Sequence, residues 1–106
     1  MIQKPWGYEV LIAHNDKYAG KILHINEGER LSLQYHNLKQ ETLYVTNGTC
    51  SITIEDKVYI SEPGDFYDIL PGTKHRLEAI SECELFEVST PELDDVVRVE
   101  DDYGRC

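Results

Sequence analysis

Turn signals cut this chain at short, regular intervals. They are His14-Asn15-Asp16, Glu27-Gly28, Asn47-Gly48, Glu55-Asp56, Pro63-Gly64 and Pro71-Gly72. Glycine supplies positive φ, proline presets a turn angle, and Asn or Asp bonds its own backbone. A spacing of about 8–12 residues leaves room for strands and little for helices. The intervening segments are rich in Val, Ile, Leu and Tyr: residues 8–12, 21–26, 30–35, 41–46, 50–55, 58–61, 65–69, 76–79 and 85–88. In Cys50–Glu55, Ile52 and Ile54 point one way while Ser51, Thr53 and Glu55 point the other, the period of a half-buried strand. Helical periodicity is weak. A single short helical turn is expected near Pro91–Val96, with Thr90 as cap. The acidic tail that follows is expected to lie along the sheets as an edge strand or to mediate self-association. The fold class is therefore all-β, a sandwich or barrel.

The 106 residues make one domain, 1–106. A hydrophobic fraction of 41% is that of a globular chain. No apolar run approaches the roughly 20 residues that cross a bilayer. The start, MIQKPWGYEV, has no basic region followed by an apolar core, so a cytoplasmic location is expected. Cys50, Cys83 and Cys106 are widely spaced, without a CxxC pair, and read as reduced thiols. A net charge of −10 argues against nucleic acid or an anionic membrane as partner. It also means that a phosphate would need a local basic cluster.

One stretch carries chemistry. In Arg30–His36, alternation puts Ser32, Gln34 and His36 on one face and Leu31, Leu33 and Tyr35 on the other. A turn around Asn37–Gln40 would return the chain so that Glu41 lies opposite Gln34 and His36. An amide oxygen, an imidazole and a carboxylate at one height suit a borderline to hard divalent ion. His75, after the turn at Pro71-Gly72, can supply the fourth ligand. The plain alternative is a hydrogen-bonded polar cluster in the mouth of a barrel. His14 and His24 read as surface or core residues, and Trp6 as a packing anchor.

These residues resemble the two motifs of the cupin barrel. The first reads Gly28, five residues, Gln34-Tyr35-His36, four residues, Glu41, six residues, Gly48; Gln34 replaces the usual first histidine. In the second, Gly64, Gly72 and His75 keep the family separation, with the proline at Pro71 displaced by one position. The Gln-x-His form is similar to the phosphomannose isomerases. The opening Lys4-Pro5-Trp6-Gly7-Tyr8-Glu9 and the ending Val97–Arg105 resemble the C-terminal cupin domain of the type II enzymes, often fused to a mannose-1-phosphate guanylyltransferase.

The resemblance implies a single small cupin-type barrel of two antiparallel sheets. It implies one divalent metal held by Gln34, His36, Glu41 and His75, zinc first, with Mn, Co, Ni or Fe as alternatives. It further implies isomerisation of a small-molecule sugar phosphate, mannose 6-phosphate to fructose 6-phosphate, and a homodimer, for which an open β-edge gives a physical reason. Lys39 stands where the family has an active-site arginine and is the candidate catalytic cation. It keeps the charge but loses the planar fork. Leu38 and Thr42 replace flanking histidines. Arg76, next to His75, should point away from the metal. Arg98 and Arg105 become candidates if the tail folds over the mouth. No residue is assigned as base. The competing readings are a non-catalytic module that binds metal and sugar, and an iron-dependent oxygenase.

Overall fold

The computed structural model describes residues 1–105. Eleven strands build it: β1 Ile2–Lys4, β2 Gly7–His14, β3 Ala19–Ile25, β4 Leu33–Tyr35, β5 Glu41–Asn47, β6 Cys50–Ile54, β7 Lys57–Ser61, β8 Phe66–Ile69, β9 His75–Ala79, β10 Cys83–Ser89 and β11 Val97–Glu100. They form two antiparallel sheets. One has six strands in the order β1-β2-β3-β10-β5-β8, the other five in the order β11-β4-β9-β6-β7. This is the two-sheet all-β barrel that the turn spacing predicts.

Alternation fills the space between the sheets. Leu43 and Val45 of β5, Cys50 and Ile52 of β6, Leu77 of β9 and Leu85 of β10 all point inward and are buried, with Trp6, Leu23, Ile25 and Ile69. Each large side chain removed from water contributes about 1.5–3 kcal/mol. Trp6 is the expected packing anchor, 3% exposed. The sharpest turn lies between β5 and β6. Gly48 has φ +77°, and a Cβ there would lie 2.2 Å from the main-chain oxygen of Glu82 and 2.8 Å from Cys83 Cα. Only glycine allows both that angle and that approach.

Three local expectations change. Residues 30–32 leave the sheet, so β4 is only Leu33–Tyr35, with an isolated bridge from Arg30 to Glu78. β1, which sequence reading did not identify, pairs with β2. The expected helical turn near 91–96 is instead a series of tight turns, with Leu93 N–H donating to Pro91 and Val96 N–H to Asp94. Tight turns of this kind leave the Asp95 side chain free to bond elsewhere.

The tail is an edge strand, as the sequence allows. β11 pairs with β4, placing Arg98 beside Gln34. Beyond it, Arg30 makes two hydrogen bonds to Asp102, Tyr103 bonds Glu29, and Arg105 grips Asp101. Arg76 is buried, donates to the Leu31 carbonyl and pairs with Asp102, consistent with its pointing away from His75. No helix among the described residues is long and apolar enough to cross a membrane.

Candidate metal centre

Both sheets contribute to one cluster. Glu41 opens β5, His75 opens β9, and His36 follows β4. His36 Nε2 and His75 Nε2 each lie 3.0 Å from Glu41 Oε1. The three residues are 3%, 2% and 3% exposed for His36, His75 and Glu41. One ligand atom from each lies within 4.8 Å of the others. Gln34 is paired in register with His75 across β4 and β9. It lines the same cavity as His36.

The hydrogen bonds behind the rings test whether this cluster suits a cation. His36 Nδ1 lies 2.5 Å from the Asp95 carbonyl oxygen, and His75 Nδ1 lies 2.9 Å from that of Thr73. A carbonyl oxygen can only accept, so each Nδ1 carries the proton. In the neutral rings Nε2 then offers a lone pair. Both lone pairs and a carboxylate oxygen converge without a proton between them. Such an arrangement is repulsive unless a positive charge is added, which a metal ion supplies. Backbone carbonyls that fix the tautomer in this way are the usual support of metal-bound histidines. The cluster can therefore hold a metal ion.

Lys39 sits beside the cluster but is not free. It is 4% exposed, 3.2 Å from Glu87 and 3.9 Å from Glu41. Burial would lower its pKa, but Glu87 and Glu41 outweigh that and hold the ammonium above its ordinary value. The same burial, and then the charge of Glu41, push the Glu87 carboxyl upward. Sequence reading missed Glu87. Its signal was available: in β10 the inward positions run Cys83, Leu85, Glu87, so an acid occupies the apolar side of an alternating strand.

A cavity of about 100 Å³ opens in front of this group. His36, Gln34 and Lys39 form part of its wall, and Lys4, Lys21, Arg98 and Arg105 supply further cations. The carboxylates in the wall are Glu9 and Glu87. A chain of net charge −10 thus concentrates five cations around one small cavity. Arg98 Nε is buried without a hydrogen-bond partner among the described residues. The remaining histidines stand apart: His24 stacks on Tyr8, and His14 bonds the Pro91 carbonyl.

Residues 1–101 match the family described as mannose-6-phosphate isomerase C-terminal. Among curated proteins, a mannose-1-phosphate guanylyltransferase, ManC, of Salmonella typhimurium is 36% identical over 98% of this chain and 23% of its own length. The mannose-1-phosphate guanylyltransferase of Escherichia coli K12 is 35% identical over the same shares. The chain spans about a quarter of the length of these curated relatives. Among solved structures, an RmlC-like cupin from Shewanella frigidimarina superposes with a TM-score of 0.77 at 14% identity, covering 81% of this chain and 77% of that one. That likeness shows the fold.

The expected isomerase is corrected by these relatives. They carry the name of a guanylyltransferase, and the stretch they share with this chain is a fraction of each. The site gives a physical reason in keeping with that. The residue expected to act as catalytic cation, Lys39, is locked between two buried carboxylates rather than presented to a substrate.

Proposed function

Because the chain belongs to the mannose-6-phosphate isomerase C-terminal family, we propose that it is a metal-holding cupin module that binds a phosphorylated sugar without isomerising it. On this reading it serves the mannose-1-phosphate chemistry for which its relatives are named. His36, Glu41 and His75 hold the ion, with Gln34 as fourth ligand. Two imidazoles, a carboxylate and an amide oxygen favour zinc. When bound, the ion supplies a Lewis-acidic point for a sugar hydroxyl or carbonyl oxygen. The free thiols of Cys50 and Cys83 are in keeping with work in the cytoplasm. Cys106 lies outside the described residues.

The observation that carries the reading is the unpartnered Arg98 in the wall of a cation-rich cavity. A buried donor without an acceptor costs about 1–3 kcal/mol, and an anionic ligand removes that cost. Lys4, Lys21 and Arg105 add to the attraction. A cavity of about 100 Å³ favours a monosaccharide phosphate over a bulkier nucleotide-linked sugar.

Calorimetric titration of zinc-loaded protein with mannose 1-phosphate, mannose 6-phosphate and free mannose tests this. At least one phosphate should bind while free mannose does not, and Arg98→Ala should weaken that binding by roughly tenfold or more. If neither phosphate binds to protein shown to contain metal, the reading fails.

A further inference from the structure

The alternation that sends Leu85 and Glu87 of β10 inward sends Phe86 and Val88 outward. Strand registers then align outward residues across five strands. Val10 lies opposite Ile22, Ile22 opposite Phe86, Phe86 opposite Tyr44, and Tyr44 opposite Phe66. The row is apolar from end to end apart from one phenol hydroxyl. Phe66, Tyr44 and Phe86 are 63%, 44% and 39% exposed, and Val88 and Ile12 extend the apolar surface beside them. Single exposed apolar residues are ordinary, but a continuous row across a sheet marks an interaction surface.

We propose that this face receives a second copy of the chain, related by a two-fold axis near Phe86. Two features select that occupant. The first is charge. Copies carrying −10 each repel one another, so they can meet only where charge is sparse. On the outward side of these five strands the carboxylates are Asp68 and Glu84. Each already accepts a hydrogen bond from a threonine of the neighbouring strand, Thr42 and Thr46 respectively.

The second feature is self-complementarity. On one side of Phe86 the row is aliphatic, with Ile22 and Val10. On the other it is aromatic, with Tyr44 and Phe66. A two-fold through Phe86 lays each aromatic half on the aliphatic half of the other copy, the requirement for an isologous contact. Six strands at about 4.8 Å spacing make a face about 25 Å wide. That is room for the roughly 800 Å² per partner that a stable dimer buries. The contact is face to face, as in sheet sandwiches. It leaves the edge strand β7, with its exposed Val58 and Ile60, outside the interface. The inference does not depend on what the cavity binds.

Sedimentation velocity of the whole chain across a range of concentrations is the test. A dimer is expected, and Phe86→Glu should weaken it by roughly 30-fold or more, because it sets two carboxylates against each other at the axis. Phe66→Ser, on an edge strand, keeps the test open if Phe86→Glu does not fold by circular dichroism. Ile60→Glu should leave the dimer intact. A wild-type monomer at all concentrations overturns the proposal, as does a dimer that survives both face substitutions. A dimer lost on Ile60→Glu overturns it in favour of edge pairing.

Discussion

The Nδ1 of His36 reaches the main-chain oxygen of Asp95, 59 residues further along the chain, at 2.5 Å. The carboxylate of the same aspartate accepts the backbone N–H groups of Asn37, Leu38 and Lys39. Hydrogen bonds from Leu38 and Asn37 are the main reason its pKa lies below the ordinary value. One residue thus aims the imidazole and shapes the loop that leads from His36 to Glu41. Asp95→Ala should keep all three ligands but weaken metal binding by roughly 10- to 100-fold, the usual cost of losing such support. Competition against a chromophoric chelator measures it. Unchanged affinity would mean that the loop holds its shape without the cap.

Metal should stabilise the fold, because the converging acceptors exist only in the folded chain. At a free concentration of 100 times Kd the gain is about 2.7 kcal/mol. Thermal melts with zinc and after chelation should therefore separate clearly. His75→Ala should make the two melts coincide. Identical melts for the wild-type protein would count against a metal centre.

Two glycines distinguish strain from collision. Gly28 has φ +81° and open space for 4 Å around the point where a Cβ would stand, whereas Gly48 has φ +77° and the Glu82 oxygen 2.2 Å from that point. Gly28→Ala should cost about 1–2 kcal/mol, the left-handed penalty alone. Gly48→Ala should cost more, since backbone must move as well. Urea midpoints of the two variants decide it, and equal losses would show that the close approach is relieved cheaply.

The tail should loosen in acid. The side chain of Arg105 is the main cause that holds the Asp101 carboxyl down to about 2. A detached tail would titrate near the ordinary value of about 3.9, so it binds more protons than the docked tail in between. The contribution is whole above about pH 4 and disappears as pH falls through about 2. Hydrogen exchange of the amides near Asp101 should accelerate across that window, and Asp101→Asn should flatten the dependence.

The strands could be read from turn residues and alternation because both act over a few residues. Ile52 and Ile54 against Ser51 and Thr53 need no partner to be interpreted. The metal-ligating set was legible for the same reason: His36 and Glu41 are five residues apart, and His75 follows its own turn. Long-range pairings could not be read in this way. Asp95 looked like half of a solvated acidic pair until the fold brought it to His36. Lys39 looked like a free cation because Glu87 lies 48 residues away in the chain. β1 was missed because three residues carry too short a pattern to register as a strand.

The cluster takes Glu41 from the six-stranded sheet and His75 from the five-stranded one. An ion held there would act as a rivet through both layers. The sheets could not part without breaking ligand bonds on one side, so the off-rate of the ion would time the opening of the sandwich. Release of metal would then report on breathing motions of the whole barrel, as well as on the chemistry of the ligands.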